Sequence, residues 1–418
     1  MSANSEDTKP LLASLVQAGE QQTEAVSITD FVHMAKDISN AYLVNTSAGD
    51  VLVNSGFITS TERNKAVFAP VRNGPLRAIV LTQAHADHYG GVPAFAEPET
   101  RVIAERRFTD TCEFFSMLDP YIRGRSGKLW TGTIKNRDAL VIPKVVPDKV
   151  VDERYSFSVG DRQFEVISTP GGESPDSVVV WMPRERIVFT GNLFGPVFMS
   201  MPNLCTLRGD KPRSAQRFLS SLDKVRQLGA DLLITGHGDP IRGAEKIRAD
   251  LDKLYDAVAY VHRATVDGMN AGKDVHTLMR EIQLPNALTI GEFHGKVSWA
   301  VRTIWEEYSG WFHFDSTTSL YGIPHTSINA DLARLAGGAG PLSALAQHKL
   351  NAAQPIEALH LLDIALDAEP EHVDALRVKK DALLALLAAS GGANLSEVMW
   401  LKSEITAVEA AIGAGVFN

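Results

Sequence analysis

The stretch at residues 79–91 constrains the fold of this chain most, because a short apolar run leads directly into metal-ligand residues. Gln83, His85 and Asp87 occupy alternate positions, and alternate side chains of an extended segment point to the same side. His88 follows as the chain turns into two glycines. Imidazole and carboxylate groups this close in sequence can hold a divalent metal ion. The alternative is a polar strand end with incidental histidines, but the flanking strand and glycines favour a metal site.

Length, charge and cysteine content limit the class of protein. At 418 residues the chain is too long for one ordinary core, so we expect two domains. A net charge of −9 argues against nucleic-acid binding, which needs basic clusters. No apolar run is long enough to span a bilayer, and the first residues lack a signal-peptide pattern. Cys112 and Cys205 cannot build a disulfide framework, so a reduced, cytoplasmic setting is expected.

The pattern of secondary structure changes near residue 243. Before it, strand pairs alternate with helices, which suits four layers with two sheets face to face and helices outside. After it the patterns are helical and begin with a long amphipathic helix at 244–270. Later helices fit antiparallel hairpins of tetratricopeptide type. We therefore predict a flexible N-terminus over 1–25, an α/β domain over 26–243 and an all-α domain over 244–418.

Three motifs resemble known families. The 79–91 stretch resembles the first metal motif of the metallo-β-lactamase superfamily, Thr-His-x-His-x-Asp-His, although Gln83 replaces the first His. The segment at 169–176 is similar to the Pro-Gly-Thr-Glu-Ala-Pro motif of alkylsulfatases, and residues 206–209 match their Thr-Leu-Arg-Gly. The similarity covers most of 40–405. It implies a metallo-β-lactamase αββα sandwich followed by an all-α dimerisation domain, without the sterol-carrier-like C-terminal domain of alkylsulfatases.

The resemblance implies two metal positions. One ion would be held by Gln83, His85 and Glu173, and the other by Asp87, His88 and His237. Asn192 falls where the family has a bridging carboxylate. Neutral amides at Gln83 and Asn192 are weaker ligands, so we expect the second position to be the tighter one. The expected ion is zinc, one or two per chain, with iron and manganese as alternatives.

Two residues carried over from alkylsulfatases are candidates for handling the substrate. Arg208 would supply a fixed, always-charged fork for a sulfate or similar oxyanion, and the alternative is a structural salt bridge. Asn203 keeps the asparagine that precedes this motif. Trp299 stands where alkylsulfatases have a histidine. The nearby His294 is a candidate to take the place of that histidine, and the alternative is a structural residue at the start of a helix. We predict catalytic roles for Asp87, Arg208 and His294.

An apolar loop at 193–202 predicts an aromatic substrate surface. Phe194 and Phe198 lie in this loop, and with Trp299 they would suit a flat or aryl group. Core packing is the alternative reading of the two phenylalanines.

The resemblance implies a metal-dependent hydrolase in which metal-activated water attacks a small ester, by family a sulfate ester. Two alternatives stay open. The scissile bond could be an activated aryl ether or a carboxylic ester, or the chain could be a degenerate subunit that partners a catalytic homologue. The expected partners are a small-molecule substrate and a second chain, in a homodimer or a hetero-oligomer with a homologous chain. Neither nucleic acid nor membrane is an expected partner.

Overall fold

The computed structural model describes residues 11–130, 140–211 and 213–415. Contacts divide them into two compact units. The first, here called the sheet unit, consists of residues 11–126 and the described part of 132–308. The second, the helical unit, consists of residues 127–130 and 309–415.

Thirteen strands form two sheets in the sheet unit. The first sheet has seven strands in chain order: β1 (Val26–Ser27), β2 (Val32–Ala35), β3 (Ala41–Thr46), β4 (Gly49–Val53), β5 (Leu76–Val80), β6 (Arg101–Glu105) and β7 (Lys149–Val151). The second has six strands: β8 (Arg154–Val159), β9 (Arg162–Ser168), β10 (Val178–Met182), β11 (Ile187–Gly191), β12 (Leu232–Thr235) and β13 (Ile241–Arg242). Their spatial order is β13-β12-β11-β10-β9-β8.

Ten helices begin in the sheet unit or in its link to the helical unit: α1 (Leu11–Gln17), α2 (Thr61–Phe68), α3 (Ala86–Tyr89), α4 (Val92–Phe95), α5 (Phe108–Met117), α6 (Asp119–Leu129), α7 (Ala215–Leu228), α8 (Ala244–Asn270), α9 (Val275–Glu281) and α10 (Val297–Ser309). The others belong to the helical unit: α11 (Asn329–Ala336), α12 (Ala339–Asn351), α13 (Pro355–Ala368), α14 (Val373–Ala389) and α15 (Leu395–Gly415). Short 3-10 helices cover Ile58–Ser60, Ala69–Val71, Asn286–Leu288, Thr317–Leu320 and His325–Ile328.

The strand that leads into the metal motif is central to the first sheet. β5 has β4 and β6 as parallel neighbours. Parallel strands are usually covered on both faces, and all residues of β5 except Arg77 are buried. One face meets the second sheet, because Val80 packs in a cluster with Val180 and Phe189. The other face carries Ile79, which packs with Phe68 and Phe108 of the outer helices.

The second sheet is covered on its outer face by helices. Val179 and Leu233 of this sheet share one apolar cluster with Phe218 of α7 and with Leu251 and Leu254 of α8. Full burial of a side chain of this size stabilises the fold by about 1.5–3 kcal/mol. The sheet unit is therefore an αββα sandwich followed by helices, which confirms the predicted fold class.

The structure divides the chain at other places than the predicted boundaries after residues 25 and 243. Contacts group α8, α9 and all of α10 except Ser309 with the sheet unit, whereas the sequence pattern placed its boundary at residue 243. The apolar stripe of α8 is the reason, since it packs on the second sheet. The segment 1–25, predicted to be flexible, contains α1, whose Leu12 and Val16 are buried. Residues 1–10 lie outside the described part of the chain.

The helical unit is built on small and aliphatic side chains. Ala346 of α12, Ala358 and Ala365 of α13 and Ala375 of α14 are fully buried in one cluster. Short connections join these helices, as in αα-hairpins. The tetratricopeptide type of these hairpins stays a prediction. Among the described helices, none combines the length and the apolar character needed to cross a membrane.

Candidate active site

The candidate ligands lie where strands end. Gln83 and His85 follow β5, and His88 lies in the short α3. Asn192 directly follows β11, and His237 comes two residues after β12. β11 and β12 are parallel neighbours, so their carboxyl ends meet at one edge of the second sheet. The fold therefore gathers side chains that are far apart in sequence.

Asp87, His88 and His237 form a compact group of ligand atoms. One ligand atom from each residue lies within 4.8 Å of the other two. The His88 side chain is fully buried, and its Nε2 is 3.7 Å from Oδ2 of Asp87. Burial lowers the pKa of His88 to about 4, so its imidazole is neutral at pH 7. Neutral imidazole is the form that binds metals. The structure thus brings together the residues of the second predicted metal position.

Polar groups around Nδ1 fix the ring of His88. The hydroxyl oxygens of Ser39 and Thr82 lie 3.1 and 3.3 Å from Nδ1. The amide Nδ2 of Asn54 lies at 2.9 Å. Contacts to one ring nitrogen of a histidine orient the ring so that the other nitrogen can bind a metal ion. The sequence analysis did not assign Asn54 to the site.

Gln83, His85 and Glu173 contact one another or shared neighbours. Gln83 Nε2 lies 2.6 Å from His85 Nδ1. Asn192 Nδ2 donates to Glu173 Oε2 at 2.6 Å, and His294 Nε2 lies 3.3 Å from Glu173 Oε1. Burial alone would raise the pKa of Glu173, but the hydrogen bond from His294 and the nearby positive charges hold it well below its usual range. Glu173 is therefore an anion in this site.

Asp210 and Arg213 are site residues that the sequence analysis missed. The Asp210 carboxyl is nearly buried, with Oδ2 3.1 Å from Arg213 Nη2 and 3.7 Å from His85 Nε2. Burial opposes its ionisation, yet contacts with His85 and Arg213 hold the pKa of Asp210 below its usual range. Both residues closely follow the Thr-Leu-Arg-Gly motif, and this proximity was the available signal.

The residues predicted to handle the substrate contact different carboxylates, Arg208 that of Asp210 and His294 that of Glu173. Arg208 is mostly buried, with Nη2 3.9 Å from Oδ2 of Asp210. Asn203 Nδ2 lies 3.3 Å from His294 Nε2, and the Asn203 carbonyl accepts from Arg213. These contacts connect Arg208, Asn203 and His294 to the metal-ligand candidates. Their catalytic and binding roles stay predictions.

The predicted aromatic surface lies mainly in the core. Phe194 is 1% exposed and packs against Phe218, with ring centroids 6.5 Å apart. Phe198 is half-buried, with its ring centroid 5.6 Å from that of Phe194. Trp299 is half-buried near the start of α10, with Nζ of Lys296 5.8 Å from its ring centroid. These placements fit the packing alternative for Phe194. Among the ring contacts of the described residues, Phe115 lies against the site, 5.4 Å from the His85 ring.

Comparison with known proteins agrees with this geometry. Residues 35–237 match the metallo-β-lactamase superfamily, and residues 275–402 match the alkyl sulfatase dimerisation family. The chain combines a metallo-β-lactamase domain with an alkyl sulfatase dimerisation domain. All of the metal-ligand candidates lie in the first of these two matched ranges.

Relatives of the metallo-β-lactamase and dimerisation domains include named sulfatases. A linear primary-alkylsulfatase from Pseudomonas sp. is 28% identical over 71% of this chain and 60% of its own length. The alkyl/aryl-sulfatase BDS1 of Saccharomyces cerevisiae is 25% identical over 85% of this chain and 59% of its own length. The chain thus spans about 60% of the length of these relatives. The solved sec-alkylsulfatase Pisa1 from Pseudomonas sp. has the same fold, with a TM-score of 0.79, 20% identity and coverage of 94% of this chain and 66% of that chain.

The metallo-β-lactamase domain implies a divalent metal ion, and the residues present fit one. Asp87, His88 and His237 offer the oxygen and nitrogen donors that divalent ions take in proteins. In the part of the chain that the structure describes, His88 Nε2 is buried without a hydrogen-bond partner. A buried polar atom without a partner costs free energy, and a bound ion would remove that cost.

Proposed function

We propose that the chain is a metal-dependent hydrolase of small sulfate esters. The observation that carries this proposal is the group Asp87, His88 and His237, with the arginines Arg208 and Arg213 on the Asp210 carboxylate that lies beside His85. A cationic guanidinium fork matches the oxygens of a sulfate group. The relatives matched over most of the chain are named as sulfatases, so an aryl ether or carboxylic ester is not favoured.

Asp87, His88 and His237 would hold the ion, which we propose to be zinc. When bound, such an ion lowers the pKa of water and stabilises negative charge that develops on oxygen. Arg208 would bind and orient the sulfate, since its charge does not depend on pH. Asp210 holds Arg213, and through it the backbone of Asn203, in place. Phe115 would exclude water beside His85.

The proposal is tested by sulfate release. The purified chain, loaded with zinc, is expected to release sulfate from short alkyl or aryl sulfates and to stop when a chelator removes the ion. Arg208→Ala should raise KM by about 10–100-fold, because a charge-assisted hydrogen bond contributes about 1.5–3 kcal/mol.

Arg248→Ala is the matched control for this change. Arg248 is an exposed arginine of α8, so its loss removes the same charge away from the site. Its KM should stay within about twofold of the unmodified chain. Absence of sulfate release across the whole panel, with metal bound, would exclude the sulfatase proposal.

We also propose that the helical unit forms a homodimer. Trp311, Phe312 and Phe314 form a chain of ring contacts, with centroids 5.8 and 4.9 Å apart. Trp311 is 74% and Phe314 89% exposed. Exposed aromatic clusters are typical of protein interfaces. The dimerisation family matched at 275–402 includes this cluster.

Replacing the exposed aromatic cluster should convert dimers to monomers. The double change Trp311→Glu and Phe314→Glu would place charges at the apolar contact, and sedimentation velocity at micromolar concentration should show a loss of the dimer. Glu371→Gln, at another exposed position of the helical unit, should leave the dimer intact. A monomeric unmodified chain would contradict the proposal, and a complex with a homologous chain would support the hetero-oligomer instead.

A cytoplasmic location is proposed from the cysteines. Cys112 and Cys205 are both unpaired, as thiols are in a reducing compartment.

A further inference from the structure

The Asp210 carboxylate lies against the two guanidinium groups that would take an anionic group of a substrate. Its Oδ2 is 3.1 Å from Arg213 Nη2 and 3.9 Å from Arg208 Nη2, so both arginines face one oxygen. The same oxygen is 3.7 Å from His85 Nε2. An ordinary aspartate is ionised at neutral pH, so the arginines already have an anionic partner that belongs to the chain.

The backbone around Asp210 holds this carboxylate in place. Arg125 of α6 donates from Nε to the backbone carbonyl of Arg208 at 3.0 Å. Gly209 turns the chain with a φ of +92°, a conformation that residues with a side chain rarely adopt. The backbone N–H of Lys211 then donates to Asp210 Oδ1 at 2.7 Å. One oxygen of Asp210 is thus held by its own turn, and the other faces the arginines.

Both arginines keep capacity for a further anion. Arg213 Nη1 donates to the backbone carbonyl of Asn203, so the position of this side chain does not depend on Asp210 alone. In the described part of the chain, Arg213 Nε is buried without a hydrogen-bond partner, which leaves one donor unused. The Arg208 side chain is 21% exposed, so a small anion can reach it from solvent. Removal of the Asp210 charge would therefore leave two cationic groups with unused donors.

Carboxylate and guanidinium charges balance in this part of the site. Glu173 Oε2 lies 3.9 Å from His85 Nδ1, so one carboxylate stands beside each ring nitrogen of His85. The charges of Arg208 and Arg213 offset these two carboxylates. A substrate with a single negative charge gains little net attraction from these four groups, and Asp210 repels it at close range. Two like charges about 5 Å apart, at an effective dielectric constant of about 20, weaken binding roughly a hundredfold.

We propose that Asp210 sets the anion affinity of this site by occupying the guanidinium groups of Arg208 and Arg213, so that the chain binds inorganic sulfate weakly. The inference deepens the proposed function, because it rests on the oxyanion role of Arg208. For a sulfatase the consequence is that the sulfate product leaves readily and inhibits weakly.

Calorimetric titration with inorganic sulfate tests the proposal without any turnover. The zinc-loaded full chain is expected to bind sulfate with a Kd above about 1 mM. Asp210→Asn keeps the shape of the side chain and removes its charge, so it should lower this Kd by about 10–100-fold. A purely structural role of Asp210 predicts the opposite direction, since a loosened Arg213 would bind sulfate more weakly. Micromolar binding by the unmodified chain, or equal or weaker binding by Asp210→Asn, would overturn the proposal.

Asp223→Asn is the matched control for the loss of charge. Asp223 pairs with Arg226 on α7, three residues further along the chain, as Asp210 pairs with Arg213. This variant should leave the Kd for sulfate within about twofold of the unmodified chain. Asp210→Glu keeps the charge, and tighter sulfate binding by it would contradict the proposal. Asp210→Ser supplies a second neutral variant if Asp210→Asn fails to fold, and it should also bind sulfate more tightly.

Elemental analysis of each variant separates the effect on anions from an effect on the metal. The zinc count of Asp210→Asn should equal that of the unmodified chain. A lower count would make Asp210 a metal ligand and overturn the proposal. Tightened sulfate binding without any sulfate release would contradict the proposed hydrolase and leave this inference standing.

Discussion

Replacing His237 with alanine is expected to remove both the bound ion and the hydrolytic activity. His237 follows β12 by two residues, and its ligand atom lies within 4.8 Å of those of Asp87 and His88. With two ligands left, the ion should dissociate at micromolar concentration. Metal catalysis contributes several kcal/mol to transition-state stabilisation, so kcat/KM should fall by about 1000-fold or more.

His262→Ala is the control for the His237 variant. His262 lies on α8, half-buried, with a hydrogen bond to the hydroxyl of Tyr308. Its loss should leave the metal count at the level of the unmodified chain and kcat/KM within about threefold. Retention of the ion in His237→Ala, measured by elemental analysis, would remove His237 from the ligand set.

Replacing Phe194 with alanine should affect stability far more than substrate binding. Phe194 is 1% exposed and packs against Phe218 on the outer face of the second sheet. Truncation of a buried phenylalanine leaves a cavity and costs about 3–5 kcal/mol in the free energy of unfolding. Urea unfolding followed by tryptophan fluorescence measures this loss. KM should change by less than about threefold.

Met117→Ala gives the matched exposed truncation. Met117 is 71% exposed on α5, so its loss should change the free energy of unfolding by no more than about 0.5 kcal/mol. A Phe194 variant with unchanged stability and a strongly raised KM would restore the substrate-binding interpretation of the apolar loop.

The sequence predicted the part of the site that is encoded in one continuous motif. Asp87 and His88 are adjacent to the strand that delivers them, so local pattern was sufficient. His237 could be added because it also follows a strand pattern and matches a family position. The αββα sandwich was also predictable from the sequence pattern, because alternating strands and helices allow few layer arrangements.

Residues whose role depends on tertiary contacts could not be predicted in this way. Asp210 follows a recognisable motif, but only the folded chain shows that its carboxyl is buried between His85 and Arg213. Asn54 ends a strand far from His88 in sequence, and its amide meets the ring only because β4 and β5 are neighbours. An apolar loop such as 193–202 has the same composition whether it faces a substrate or the core.

The packing of α8 on the second sheet has a consequence for how this protein can be divided. A fragment that stops at residue 243 keeps every predicted metal ligand but loses Ile247, Leu251 and Leu254, which cover Leu233 in the strand that leads to His237. The outer face of the second sheet would then expose an apolar surface, which favours aggregation. Val301 and Ile304 of α10 belong to the same buried cluster, so the smallest fragment expected to fold alone extends through α10.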